Sequence, residues 1–378
     1  MQAYIAIVIV SDVLSLSPMT WTKQRLNNLF FFLGIAAVVV MLFTFDVSFV
    51  ELWQHLCHAG YWLIPIIGVW FLVYGVNAWS WWTIIQSGIA AQKEHSEESD
   101  QEEGGTPVLS FKTVYRLTIT GYALNYATPV GGLGGEPYRI MELSKYVDKQ
   151  HATSSVILYA MMHFFGHFIF WFVSIFIYLA LVAVGDMPLT TAIGTILGII
   201  ILFCLVAFYL FSRGYRKGLV VKTIRWIGKI PGLKGWSSRF SERHAEAMHN
   251  IDMQIASLYG RDRRAFYVSL FLEFFSRVVQ SSEVLFMLLL FGIDNGGGFT
   301  GILLTYLHSI LIVAFTTLFA NLIGFLPMQL GVQEGGFVLS IAALGLSAAL
   351  GIFVSIICRV REIIWILVGI LLMKADRS

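Results

Sequence analysis

The sequence predicts an all-α polytopic membrane protein with about seven to eight transmembrane helices, re-entrant or broken segments, and two pseudo-repeated halves. Composition is the first reason: of 378 residues, 57% are hydrophobic and 13% charged, whereas a soluble domain is nearer a quarter charged. The second reason is a series of apolar runs close to the roughly 20 residues that cross the hydrocarbon. The third is a pair of segments, one in each half, in which glycine and proline interrupt the apolar pattern.

The N-terminal residues 1–24 are expected to form a cytoplasmic segment. Lys23 and Arg25 precede the first apolar run, and basic residues mark the cytoplasmic side of membrane proteins. Residues 1–18 have no basic start and make a poor signal peptide. They are either an extension from an upstream start or a short interfacial segment.

A transmembrane domain is expected over residues 25–373, followed by a short tail over 374–378. Trp62 and Trp82 are twenty residues apart, about 30 Å along a helix, which matches the two aromatic belts of one bilayer. The apolar runs that predict spans are Leu29–Phe45, Tyr61–Ile85, Ser154–Val184, Thr191–Phe211, Phe266–Phe291, Ile302–Phe325 and Leu350–Met373.

Two charged segments lie between these runs. Residues 87–107 include "KEHSEESDQEEGG", with six carboxylates, and are expected to be a disordered solvent loop rather than a calcium or partner site. Residues 212–264 are basic, with nine Lys or Arg between Arg213 and Arg243. The Val, Ile and Trp between them indicate a helix lying on anionic lipid head groups, although a simple positive-inside loop explains the charge equally well.

Neither a metal, a cofactor nor a nucleic acid is expected as a ligand. Cys57, Cys204 and Cys358 lie in apolar surroundings without metal-ligand spacing and are expected to be small buried hydrophobes. The net charge of +2 says little about nucleic acids, because the basic residues mark membrane topology. The run GGLGG lacks the preceding strand and the lysine-serine pair of a nucleotide-binding loop.

The first interrupted segment is "NYATPVGGLGGEPYRI", residues 125–140. Pro129 removes a backbone donor and breaks a helix, and the glycines permit conformations closed to other residues. Irregular backbone at membrane depth survives only where protein buries it or a water-filled cavity receives it. These glycines are Gly131, Gly132, Gly134 and Gly135.

Basic residues on both sides of this segment predict that it enters and leaves the membrane from the cytoplasm. Lys112 and Arg116 precede it, and Lys145 and Lys149 follow it. Positive charge on both flanks indicates the same side of the membrane. Residues 111–147 are therefore expected to form a re-entrant hairpin.

A second interrupted segment, "PMQLGVQEGGF", covers residues 327–337. Glu136 follows Pro129 by seven residues, and Glu334 follows Pro327 by the same number. Paired interrupted segments in two halves are typical of transporters with a site near the bilayer centre. Gly131 lies between Pro129 and Glu136, and Gly331 lies between Pro327 and Glu334.

These motifs resemble the lysylphosphatidylglycerol synthetase transmembrane region, a flippase-like integral membrane family, over about residues 25–373. The resemblance implies a membrane region that moves lipids between leaflets. Full-length synthetases add a cytosolic aminoacyl-transferase domain, for which the few residues before Ser378 leave no room, so lysyl transfer is not expected. The residues that carry the resemblance are Asn125, Pro129, Gly131, Gly134, Gly135, Glu136, Pro137, Arg139, Pro327, Gly331, Glu334 and Gly335.

Glu136 and Arg139 are three residues apart and are expected to pair if Pro137 begins a helix, a position that suits proline. A helix N-terminus beside Arg139 offers backbone donors and positive charge to a lipid phosphate. The alternative is a structural ion pair that holds the hairpin together. Ionisable residues at membrane depth are costly and are functional candidates by default.

Two later spans also carry charges. Glu273 and Arg277 lie at i, i+4 and serve either packing or the transport path. In the last span, Arg359 is preferred over Arg361 as the residue that binds phosphate. Glu362 is expected to form an ion pair with one of the two arginines.

Two histidines, His163 and His167, lie on one face of a predicted helix. Without a glutamate beside the first, they do not make a zinc-protease motif. They are expected to form interhelical hydrogen bonds.

The sequence thus predicts a lipid transporter or flippase-like protein of the cell (cytoplasmic or inner) membrane, rather than an enzyme. The alternatives are an intramembrane lipid-modifying enzyme and a non-transporting subunit of a glycolipid or cell-envelope pathway. Expected partners are a phospholipid or polyprenyl-phosphate-type lipid and anionic head groups at 212–264; a homo-oligomer is compatible with the sequence. The candidate binding or transport residues are Asn125, Pro129, Gly131, Gly134, Gly135, Glu136, Arg139, Arg277, Pro327, Gly331, Glu334 and Arg359.

One further expectation concerns Glu334. If the two segments are repeats, Glu334 lies inside the protein close to Glu136, where it pairs with an arginine or meets water instead of facing lipid. Lys374 and Arg377 suggest a cytoplasmic C-terminus, which requires residues 327–345 to cross the membrane.

Overall fold

A computed structural model describes residues 60–96, 108–127, 134–217, 262–322 and 332–375, together with a few single positions between 238 and 253. The predicted span Leu29–Phe45, the N-terminal segment and the tail 376–378 lie outside the described residues. In the described part of the chain, a short 3-10 turn at Gly60–Trp62 is followed by α-helices and connecting turns, with no β-strand. The helices are α1 (Leu63–Ser96), α2 (Phe111–Ala127), α3 (Glu136–Leu143), α4 (Lys149–Ala183), α5 (Thr191–Lys217), α6 (Arg263–Leu290), α7 (Gly298–Leu322), α8 (Val332–Ala343) and α9 (Ala348–Ala375).

The all-α membrane architecture is confirmed. Four described helices contain segments long and apolar enough to cross a membrane: Gly60–Ala90, Lys149–Ala183, Thr191–Phe211 and Gly298–Leu322. The predicted spans Phe266–Phe291 and Leu350–Met373 also form helices, α6 and α9, each 28 residues long. Each of these two helices carries three charged residues near its middle, which lowers its hydropathy. Those charges are buried in the bundle, where they pair.

The chain repeats one pattern of helices. In each half a long helix is followed by a shorter helix, a short helix and another long helix: α1 to α4 in the first half and α6 to α9 in the second. Both short helices have a glutamate in the first turn, Glu136 in α3 and Glu334 in α8. The sequence-predicted repeat is thus present in the helical pattern. Residues 128–133 and 323–331, which include the prolines of the two interrupted segments, lie outside the described residues.

The halves pack by exchanging partners. The first long helices, α1 and α6, lie along one another, while α2 packs on α9 and α7 packs on α4. At the α1–α6 contact, the buried hydroxyls of Ser80 and Ser269 are 2.8 Å apart. Small residues permit such close approach between membrane helices: a Cβ on Gly369 of α9 would lie 2.3 Å from the Cβ of Ala123 on α2. The exchange brings both short helices to the centre of the bundle.

The helix α5 stands apart from this repeat. It packs against α4, and apolar side chains on its outer face are exposed, among them Leu202, Leu205 and Leu210. An exposed apolar face of this kind suits contact with lipid tails rather than with water.

Two predicted loop boundaries change in the structure. The loop expected over 87–107 begins later, because α1 continues to Ser96. Its residues Ala90, Ala91, Gln92 and Lys93 are good helix formers, and this local propensity outweighs the acidic composition that predicted disorder. Likewise α5 continues to Lys217, into the basic segment predicted from residue 212. Residues 97–107 and most of 218–261 lie outside the described part.

Candidate functional site

The first interrupted segment ends in a short helix whose start is built from glycine, proline and asparagine. Gly135 precedes α3 and Pro137 occupies its first turn, which confirms the expected helix start. The backbone N–H of Gly135 donates to Asn125 Oδ1 of α2 at 2.7 Å. Gly135 is required here, because a Cβ would lie 2.0 Å from the carbonyl oxygen of Gly121. Gly134 lies in the turn just before it.

Glu136 and Arg139 form the expected ion pair. Arg139 Nη1 lies 2.8 Å from Glu136 Oε1, and Asn125 Nδ2 donates to the same carboxylate oxygen at 3.3 Å. Arg139 Nη2 also donates to the carbonyl of Thr118 at 3.2 Å. The guanidinium is 1% exposed. A Cβ on Gly121 would lie 2.1 Å from Arg139 Nε, so that glycine makes room for the side chain.

Three aromatic rings enclose Arg139. Its Cζ lies 4.9 Å from the ring centroid of Tyr122, 5.3 Å from that of Tyr159 and 5.7 Å from that of Trp81. Aromatic faces attract guanidinium groups, most strongly where water is excluded. This cluster, which we call the first centre, therefore holds a buried cation among aromatic rings.

The second interrupted segment pairs its glutamate with an arginine from another helix. Glu334 Oε1 accepts from Arg359 Nε at 2.8 Å and lies 2.7 Å from Arg359 Nη2. Arg359 Nη1 donates to Glu362 at 2.7 Å, and Gln333 Nε2 donates to the other oxygen of Glu362 at 3.2 Å. The expectation that Glu334 pairs with an arginine instead of facing lipid alone is confirmed.

The neighbouring Arg361 belongs to the same cluster, which we call the second centre. Its Nε and Nη2 donate to the two oxygens of Glu283 on α6, at 2.8 and 3.3 Å. Its Cζ lies 3.9 Å from the ring centroid of Trp70 on α1. Charge-assisted forks of this kind fix geometry more firmly than single bonds, so the second centre ties α1, α6, α8 and α9 together.

A third group of polar side chains joins α4 to α6. His163 Nδ1 lies 2.9 Å from Glu273 Oε2, and Arg277 Nη2 lies 2.7 Å from His163 Nε2. The same arginine nitrogen also lies 2.9 Å from His163 Nδ1. Tyr122 OH, 3.1 Å from His163 Nδ1, connects this group to the first centre. The interhelical hydrogen bonding expected of both histidines is confirmed for His163, whereas His167 Nδ1 is buried without a hydrogen-bond partner among the described residues.

A central cavity of about 220 Å³ lies among these groups and is lined by every described helix except α5. Of the sequence-predicted site residues, Asn125, Glu136, Arg139 and Arg277 line it. Gly134 and Gly135 support it by shaping the start of α3, while Pro129, Gly131, Pro327 and Gly331 lie outside the described residues. The charged groups of the lining are Glu136, Arg139, Arg277, Glu283, Arg361 and Glu362.

Of the two neighbouring arginines of α9, the cavity lining includes Arg361 and not Arg359, which the sequence favoured as the phosphate candidate. Arg361 lines the cavity, whereas Arg359 is held behind it by Glu334 and Glu362. Residues two apart on a helix point to different faces, and the sequence does not show which face of α9 meets the cavity. Glu334 likewise lies behind the lining, while its neighbour Gln333 reaches the cavity.

Sequence reasoning missed the aromatic part of the site. Trp81, Tyr122, Tyr159 and Trp70 come from three different helices and contact the arginines. In the sequence they are indistinguishable from the many aromatic residues of an apolar chain. The spacing of Tyr122 three residues before Asn125 was the one available signal, because it places both on one face of α2.

The charges of these clusters nearly cancel. Within the three clusters, five buried or half-buried carboxylates (Glu136, Glu273, Glu283, Glu334, Glu362) meet four buried arginines (Arg139, Arg277, Arg359, Arg361). Buried charges persist when paired and hydrogen-bonded. Across the described part of the chain, no group of three or more His, Cys, Asp or Glu side chains is placed to hold a metal ion.

Comparison with known proteins gives one match. The family model of the lysylphosphatidylglycerol synthase transmembrane region matches residues 31–370. Searches of curated proteins and of solved structures give no match. Because the match includes both interrupted segments, all three polar clusters and nearly the whole chain, the protein belongs to the family of the lysylphosphatidylglycerol synthase transmembrane region.

Proposed function

We propose that this membrane protein moves a phosphate-bearing lipid between leaflets by passing its head group through the central cavity. One observation carries the proposal: Arg139, Arg277 and Arg361, from three helices, line one cavity in the bundle. Each of these arginines retains a buried nitrogen without a hydrogen-bond partner among the described residues, Nε in Arg139 and Arg277 and Nη1 in Arg361. Arginine presents several N–H groups in a planar fork that suits phosphate.

The carboxylates beside these arginines support transport rather than permanent binding. Burying a guanidinium without a partner costs several kcal/mol, so Glu136 and Glu283 stabilise the empty cavity. An entering phosphate then competes with them for the same donors. This competition limits affinity, and a transported head group has to leave the site as readily as it enters.

The short helix α3 gives the site a part that can move as one piece. Transporters place discontinuous helices at the binding site, with half-helix N-termini pointing toward anionic groups. Glu136 and Arg139 both belong to α3, which is eight residues long. A small movement of α3 relative to α2 therefore shifts the ion pair of the first centre as one unit.

The test is movement of a fluorescent phosphatidylglycerol across proteoliposomes, read by reduction of the label on the outer leaflet. We expect Arg139→Lys to slow movement about tenfold, because the fork is lost while the charge stays, and Arg139→Ala to slow it further. Arg263, exposed at the start of α6, supplies the matched controls Arg263→Lys and Arg263→Ala, which should move lipid like wild type.

Three outcomes separate the alternatives. Wild-type rates in both Arg139 variants would contradict the proposal. Wild-type protein that retains phospholipid through purification but moves none would favour a non-transporting subunit instead. A changed lipid product, detected by mass spectrometry after incubation, would favour a lipid-modifying enzyme.

A further inference from the structure

A second cavity lies beside the first and differs from it in chemistry. It has a volume of about 230 Å³ and is enclosed by residues of α4, α5, α7 and α8 and of the turn between α4 and α5. Its few hydroxyls are bonded within the protein: Ser174 Oγ donates to the carbonyl of Trp171 at 2.7 Å, and Tyr178 OH to that of Pro188 at 2.8 Å. We call it the side cavity. Its remaining surface is mostly aliphatic and aromatic.

The helix α7 separates the two cavities and shows a different face to each. Thr316, Thr317 and Asn321 line the central cavity, whereas Phe315 and Leu318 line the side cavity. The side of α7 toward the central cavity therefore carries polar groups beside Val313 and Ala320, whereas the side toward the side cavity is apolar. Such a helix keeps a charged compartment and an apolar one within one helix diameter, roughly 10 Å.

At two points the partition is no thicker than a pair of side chains. Trp171 lines the side cavity, and its Nε1 donates to Thr317 Oγ1 of the central cavity at 3.1 Å. Thr316 of the central cavity and Ser340 of the side cavity have hydroxyls 3.2 Å apart. Each contact is a single hydrogen bond between two side chains.

The side cavity also reaches the lipid-facing surface. Phe315 on α7 is 39% exposed and Ile196 on α5 is 52% exposed, and both line the cavity. In a bilayer this surface meets hydrocarbon, so a chain can enter from the membrane without crossing a polar group. Trp171 lies eight residues beyond His163 on α4, about 12 Å along the helix axis.

We propose that one lipid molecule occupies both cavities, with its phosphate head group in the central cavity and one hydrocarbon chain in the side cavity. The proposal rests on the function proposed above. It identifies the ligand as an amphiphile whose head group and hydrocarbon chain are both bound by the protein. A hydrocarbon chain inside the central cavity would remove water from the ion pairs there, which costs free energy. The same chain in the side cavity removes no charged group from water. The hydrocarbon chain passes the partition between Trp171 and Thr317. Because that chain is held in the side cavity, its position there fixes how deeply the phosphate lies in the central cavity.

The experiment uses two photoreactive lipids in vesicles of phosphatidylcholine: a phosphatidylglycerol and a diacylglycerol with the same diazirine-bearing chain. After irradiation of the full-length protein, adducts are located by mass spectrometry of peptides. We expect adducts on side-cavity residues of α5 and α7 to be about fivefold more frequent with phosphatidylglycerol, equivalent to about 1 kcal/mol of added binding. Arg361→Gln should reduce that preference toward the level seen with diacylglycerol.

A matched pair of variants tests occupancy directly. Ala343 lines the side cavity, whereas its exposed neighbour Ala342 does not. Ala343→Phe should reduce phosphatidylglycerol adducts in the side cavity about fivefold, while Ala342→Phe leaves them unchanged. Both positions are at the surface, so neither variant disturbs the core.

Equal labelling by the two lipids, unaffected by Arg361→Gln, would show that the side cavity holds only annular lipid and would overturn the proposal. So would unchanged labelling in Ala343→Phe. Phosphate-dependent labelling in a protein that moves no lipid would instead leave the two-part site standing and refute transport. The failure of each proposal is therefore recognisable separately.

Discussion

The first and second centres occupy corresponding places in the two halves but hold their cations differently. In the first, Glu136 pairs with Arg139 one turn along the same short helix. In the second, Glu334 reaches Arg359 on the following long helix, and Arg361 beside it binds Glu283 on α6. The repeat therefore preserves a short helix with a glutamate in its first turn, but not the source of the arginine.

This difference separates a movable unit from an anchor. A pair within α3 can shift with that helix and keep its own charge balanced. The second centre joins three helices by ion pairs and a fourth through Trp70, so movement there separates charges. We expect α3 to move during transport while the second centre stays fixed, and the following predictions test this contrast.

The largest effect is expected from removing the carboxylate of the anchor. Glu283→Ala leaves the guanidinium of Arg361, 3% exposed, without its bidentate partner. Breaking a buried pair from one side costs about 3–5 kcal/mol. The measurement is the free energy of unfolding in mixed micelles. Arg263→Ala at the exposed end of the same helix should change it little, and a loss below about 1 kcal/mol in Glu283→Ala would contradict the anchor.

A smaller effect is expected from crowding the base of the movable unit. In Gly135→Ala the new Cβ meets the carbonyl of Gly121, 2.0 Å away. Overpacking of this kind costs about 1–3 kcal/mol, and transport should fall with it because α3 can no longer sit against α2. Gly198→Ala on α5, where nothing lies within 4 Å, should be neutral or slightly stabilising. Equal stability in the two variants would show that the contact yields easily.

Neutralising Glu136 and Glu334 should reveal a smaller difference in stability between the two centres. Glu136→Gln removes the carboxylate that pairs with Arg139, whereas Glu334→Gln leaves Arg359 bound to Glu362. We expect losses of about 1–2 kcal/mol for the first and under about 1 kcal/mol for the second, whose carboxylate is more exposed. Chemical denaturation measures both. A larger loss for Glu334→Gln would reverse the assignment of anchor and movable unit.

The smallest perturbation tests the hairpin prediction, which the fold leaves open. Lys112 and Asp148, both exposed, lie at either end of the α2–α3 segment. In a background without the native cysteines, Lys112→Cys and Asp148→Cys should react with an impermeant maleimide from the same side of the membrane. Labelling from opposite sides would show that α2, α3 and the residues between them together cross the bilayer.

Local spacing explains what could be predicted about the site. The pair Glu136–Arg139 and the helix start at Pro137 depend on residues within one turn, whose geometry is nearly independent of the rest of the chain. The pairing of Glu334 with some arginine followed from the cost of a lone carboxylate at membrane depth. The identity of that arginine, twenty-five residues away, did not follow from any spacing.

The sequence by itself determined the membrane class, the helical repeat, the start of α3 and the ion pair within α3, because composition and short-range periodicity suffice for these. The tertiary structure alone decided which arginine of α9 faces the cavity, that His163 bridges Glu273 and Arg277, and that aromatic rings from three helices contact the cations. It also decided that an apolar cavity lies one helix away from the charged one. These features depend on how each helix is rotated about its axis and on which helices exchange partners. In a chain apolar on nearly every face, the amphipathic pattern that would reveal such rotation is weak.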